Sequence, residues 1–159
     1  MLLTTSQMKR NSRPFSTIER EWLTSILRKY ASSEQGGWLT TVPFDTECKY
    51  NWCDAMDLDN GVLGARPLYG SDIYLAPPPN GRDKETVVRD WIVSLASIAI
   101  HELRHMWQQN QFGLVAWSIL RLPEVFPLLY GKVVVERDAF AIENEAEKFI
   151  ASLSASGSL

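Results

Sequence analysis

Residues 97–108 read Ser-Ile-Ala-Ile-His-Glu-Leu-Arg-His-Met-Trp-Gln, and this stretch decides how the chain is interpreted. His101, Glu102 and His105 stand in apolar company, with Ile98, Ala99 and Ile100 before them and Met106 and Trp107 after His105. Helical residues four apart lie about 40° apart around the axis and roughly 6 Å along it, so two imidazoles can converge on one ion from a single turn. Glu102 projects beside them, where its carboxylate can take a proton from an activated water and pass it to a leaving group. In a chain of this composition, chance alone would produce the H-E-x-x-H pattern about 0.002 times. The competing reading makes both histidines core residues hydrogen-bonded to carboxylates and pairs Glu102 with an arginine such as Arg104 or Arg121.

The helix bearing the motif is predicted from about Asp83 to Gln111, with Val87, Val88, Trp91, Ile92, Leu95, Ile98, Ala99 and Leu103 burying it and Gly113 ending it. Upstream, Ile73 and Leu75 alternate with Asp72 and Tyr74, so Ser71 to Ala76 reads as a half-buried edge strand that Pro77 to Pro79 stop. Trp38 to Phe44 reads as another strand. At the start, Ser16 and Glu19 form a capping box before Ile18, Trp22, Leu23, Ile26, Leu27 and Tyr30, an amphipathic helix ending near Gly36 and Gly37. Downstream come a short helix, Leu114 to Leu122, then Pro123, then a last helix from Lys132 to about Leu153 after Gly131. The expected architecture is α+β, a small antiparallel or mixed sheet packed against the buried motif helix and further helices. One domain is expected over 16–153, preceded by a segment 1–15 and followed by a flexible tail 154–159.

Across 159 residues, 45% are hydrophobic and 22% charged, which fits a globular fold and excludes disorder. A net charge of -3 leaves no basic footprint for nucleic acid or an anionic membrane surface. No stretch approaches the roughly 20 apolar residues of a membrane span, so a cytoplasmic protein is expected. Cys48 and Cys53 lack a second cysteine pair and cannot complete a four-ligand structural zinc site; they are expected to be reduced, partly buried thiols.

A catalytic zinc needs a third protein ligand and an open position. The chain has 2 histidines, both within the motif, so the third ligand must be Glu, Asp or Cys. On the last helix Glu136, Glu143 and Glu147 share one face, while Asp138 and Glu145 point elsewhere. Ala139 and Ala146 would allow a close approach to the motif helix. Face membership does not choose among the three. If the two helices run antiparallel, the first turns of the last helix meet the end of the motif helix where His105 lies, which favours Glu136 over Glu143, two turns further on.

From Ser71 to about Ile150 the chain resembles the zincin metallopeptidases, and within them the glutamate-zincins, whose third ligand is a Glu on a later helix. It looks most like short bacterial and phage zincin-like proteins carrying H-E-L-x-H followed by an aromatic and Gln, here Trp107 and Gln108. In that pattern the Glu opening E-x-D-A, here Glu136, matches the metal ligand, while a second E-x-E-A begins at Glu143. The resemblance implies one zinc ion on His101, His105 and Glu136, Glu102 as general base, a peptide or protein substrate, and a strand at 71–76 positioned to pair with it. Tyr69, Tyr74, Tyr130 and Arg104 are candidates for oxyanion stabilisation. The alternative function is a binding or structural protein on the same scaffold, without hydrolysis.

Overall fold

The computed structural model describes residues 4–56, 61–67, 69–121 and 131–159. Ser16 caps the helix α2 (Thr17–Ala31): its hydroxyl accepts from the Glu19 N–H while the Glu19 carboxylate accepts from the Ser16 N–H at 2.7 Å. This helix holds the whole apolar pattern but stops before the expected end near Gly36 and Gly37. The Ser32 and Ser33 hydroxyls donate back to the carbonyls of Arg28 and Tyr30, and the chain turns so tightly that a Cβ on Gly36 would sit 1.8 Å from the Tyr30 carbonyl oxygen. Trp38 to Phe44, expected as a strand, contains none: a 3-10 turn, Gly37–Thr41, takes its first part. Thr40 and Thr41 donate to the carbonyls of Gly37 and Trp38, a local bonding pattern that competes with a sheet ladder.

Among the described residues, four strands form one mixed sheet in the order β1-β2-β4-β3. These are β1 (Ser12–Pro14), β2 (Lys49–Cys53), β3 (Gly64–Ala65) and β4 (Asp72–Leu75). A short helix, α1 (Thr5–Arg10), precedes β1. β1 runs antiparallel to β2, β2 parallel to β4, and β3 antiparallel to β4, with Gly64 opposite Leu75 and Ala65 opposite Tyr74. The strand at 72–75 is therefore interior, correcting its expected place at the edge; the terminal strand on that side is β3. Alternation sorts the side chains onto two buried faces. Tyr50, Trp52, Ile73 and Leu75 enter the main core with α2 and the long helix, and Cys53 and Tyr74 pack with Met8 and Met56 on the other face.

The long helix α3 (Glu85–Arg121) is broken at Gly113, whose φ of 74° and ψ of 165° only glycine adopts readily. The expected helix end and the following short helix thus appear as two pieces joined at that residue. The last helix, α4 (Gly131–Ala155), packs along α3, and fully buried Ala139 and Ala146 let the two come close. Gly157, at φ 68°, ends α4: its N–H bonds the Ser154 carbonyl and that of Ser158 bonds the Leu153 carbonyl, a Schellman closure. Cys48 and Cys53 are free and buried, and burial pushes the Cys48 thiol up to about 11. Among the described residues, no helix is long and apolar enough to cross a membrane.

Candidate metal centre

α3 and α4 run antiparallel, because partners pair in opposite chain order. Gln108 meets Val135, Arg104 meets Asp138, and His101 meets Glu143. The buried stripe of α4 runs through Val135, Ala139, Ala146 and Ile150. At about 100° per residue, Glu136 and Glu143 flank that stripe on one side and Asp138 on the other. Asp138, expected to point elsewhere, therefore also reaches α3, because the buried face of α4 is centred on the alanines rather than on the acids.

His101 and His105 are buried, and their Nε2 atoms lie 3.1 Å apart. One oxygen of Glu136, Oε2, stands 3.4 Å from His101 Nε2 and 3.5 Å from His105 Nε2. A tetrahedral zinc with arms of about 2.0–2.1 Å has ligand–ligand edges of about 3.3–3.4 Å, so this triangle has the dimensions of one tetrahedral face. His101, His105 and Glu136 are accordingly a three-residue group that could hold a metal ion. Glu136 is the member that reaches solvent, its side chain 22% exposed against 9% and 4% for the histidines.

Glu143 occupies a different position. Its Oε2 lies 2.8 Å from His101 Nδ1, on the far side of the ring from Glu136. His105 Nδ1 lies 2.9 Å from the Gln108 side-chain oxygen. Each ring thus has its Nδ1 engaged and its Nε2 turned toward Glu136. Burial would pull the His101 imidazole down, but hydrogen bonds to Glu136 and Glu143, with Glu102 close by, outweigh it and raise it to about 9. Glu147, the third acid on that face, is exposed one turn beyond Glu143.

Glu102 is buried where α3 passes β3: a Cβ on Gly64 would stand 3.8 Å from Glu102 Cγ and only 2.5 Å from Ile98 Cγ2. Glycine at 64 is what lets the strand lie this close. Arg104 binds Asp138 through Nε and a terminal nitrogen at 2.7 and 3.1 Å, beside the rings of Trp107 and Trp38, and its guanidinium holds the Asp138 carboxyl below its usual range. Arg104 is thereby committed away from the Nε2 triangle. Of the other oxyanion candidates, Tyr69 shares a hydrogen bond with Ser118, Tyr74 is buried on the far face of the sheet, and Tyr130 lies outside the described residues. The Arg121 side chain also lies outside them.

Two aromatic neighbours had no sequence signal beyond their helical spacing. Phe140 sets its half-exposed ring 4.7 Å from that of His101, and Trp117, on the piece after Gly113, is buried with its ring 5.9 Å from His105. Compared with protein-family models, curated proteins and solved structures, the chain gives no significant match to any.

Proposed function

We propose that the chain is a zinc-dependent hydrolase, a metallopeptidase of the glutamate-zincin type acting on peptide or protein substrates. The reading is carried by the triangle of two Nε2 atoms and one carboxylate oxygen at 3.1, 3.4 and 3.5 Å, on rings whose Nδ1 atoms are already engaged. In this reading His101, His105 and Glu136 hold one ion and leave a fourth position open on the solvent side. When bound, zinc supplies a Lewis acid that polarises a carbonyl and lowers the pKa of water toward neutrality. Glu102 accepts the proton of the attacking water and returns it to the leaving amine. An extended substrate would add along β3, the terminal strand beside Glu102, rather than along β4.

The test is metal analysis combined with turnover of a generic peptide substrate. The protein should carry one zinc per chain, and His101→Ala or His105→Ala should abolish it. Glu102→Gln should keep both metal and fold yet lose hydrolysis, because the amide is nearly isosteric and cannot accept the proton. Undiminished turnover in Glu102→Gln would remove that residue from the mechanism. Stoichiometric metal with no turnover in the unsubstituted protein would favour the binding or structural role instead.

A further inference from the structure

Gln108 is one turn beyond His105 on α3, and its side chain is buried, 2% exposed, with every polar atom engaged. Its amide can be oriented in two ways, and its partners choose between them. The Val135 carbonyl, 3.0 Å from Gln108 Nε2, can only accept, so the nitrogen must face it. The second N–H of the same nitrogen meets Asp138 Oδ2 at 2.8 Å, an acceptor that Arg104 holds through both carboxylate oxygens. With the nitrogen fixed on that side, the Gln108 oxygen necessarily faces His105 Nδ1, and a carbonyl oxygen there requires a proton on Nδ1.

We infer that Gln108 is a positioning residue that sets the tautomer of His105, keeping the proton on Nδ1 and the Nε2 lone pair directed toward Glu136. The inference rests on the metal-site reading above, and it also explains how two elements stay in register. Val135 immediately precedes Glu136, so one amide ties the orientation of the His105 ring to the backbone that presents Glu136. The two histidines are supported unequally: His101 has the carboxylate of Glu143 behind it, whereas His105 has a neutral amide. A carboxylate partner makes its imidazole the more basic donor, and an amide fixes direction with less added basicity.

The test uses two readouts, one of which needs no metal. In the metal-free protein, two-bond proton–nitrogen correlation spectra of the imidazoles, recorded where His105 is neutral, should show the Nδ1–H form. Gln108→Leu, which keeps the bulk and removes the acceptor, should shift the ring toward the Nε2–H form that free imidazole side chains prefer, and should weaken zinc binding by about ten- to a hundredfold. An Nε2–H ring in the unsubstituted protein, or an unchanged tautomer in Gln108→Leu, overturns the inference. Should Gln108→Leu fail to fold, the spectrum of the unsubstituted protein still decides. Should the unsubstituted protein bind no zinc, the functional reading fails while the tautomer measurement continues to test this one.

Discussion

Along its first half α3 buries Val88, Ile92, Leu95, Ala96, Ala99 and Ile100 in an apolar core shared with α2 and the sheet. From His101 onward the same helix meets α4 through hydrogen bonds and an ion pair that link Arg104, Asp138, Gln108, His105, His101, Glu136 and Glu143. Apolar contact is non-directional, so the buried face of the first half fixes where the helix lies rather than which atoms meet, and the directional bond there, from Trp91 Nε1 to the Ala76 carbonyl at 2.7 Å, ties the helix to the end of β4, away from the site. Each hydrogen bond in the second half requires a particular donor and acceptor, so that half orients groups. The site thus stands on a rigid apolar base that carries none of its chemistry.

The sharpest way to break this contrast is to remove single acids from the polar half. Glu136→Ala should weaken zinc binding by orders of magnitude, since Oε2 is the only carboxylate oxygen facing both Nε2 atoms among the described residues. Glu143→Ala should cost only about ten- to a hundredfold, the effect of losing support behind a ligand. Competition with a chromogenic chelator ranks the two, and the reverse order would move the ligand role to Glu143. In the apolar half the expectation is the opposite kind of loss. Leu95→Ala should destabilise the fold by roughly 2–5 kcal/mol in denaturant melts while leaving zinc affinity unchanged. A large loss of affinity in that variant would mean that the two halves are not separable.

The same contrast explains what was legible in the amino-acid sequence. Apolar periodicity is written into every turn, so α3 and α4 fall close to their expected bounds, and the Ser16–Glu19 box marks the start of α2 to the residue. Gly113 is also legible, because a positive φ selects for glycine. The short strands were not. β1 contains Pro14, β3 has two residues, and β2, where Tyr50 and Trp52 alternate with Lys49 and Asn51, spans only 5 residues. The motif placed His101, Glu102 and His105 on one turn, but the positions of Glu136 and Glu143 depended on how α4 rolls about its axis. That roll is set by the burial of Ala139 and Ala146, and small residues give a weak hydrophobic signal. Gln108 was visible only as one letter of a pattern. Its role depends on the Val135 carbonyl, a backbone atom that no side-chain pattern can announce.

One position touches both halves of α3 and offers the finest test. Gly64 on β3 lies against Ile98 in the apolar half and Glu102 in the polar half, and its φ is not positive, so an added methyl meets only packing. At 2.5 Å from Ile98 Cγ2 that methyl cannot be accommodated without movement, and Ile98 is β-branched and stiff at χ1. The strand must therefore shift outward from α3. Gly64→Ala should cost about 1–3 kcal/mol of stability, the usual effect of overpacking. Because the three residues of the metal group lie on α3 and α4, zinc affinity should hold, while turnover should fall as the wall beside Glu102 retreats. Ile98→Ala removes the obstructing methyl, so in a double-mutant cycle it should relieve part of the cost of Gly64→Ala. Additive losses would show that the strand yields elsewhere. Undiminished turnover in Gly64→Ala, at the expected loss of stability, would separate β3 from the positioning of Glu102 and leave the strand a purely structural edge.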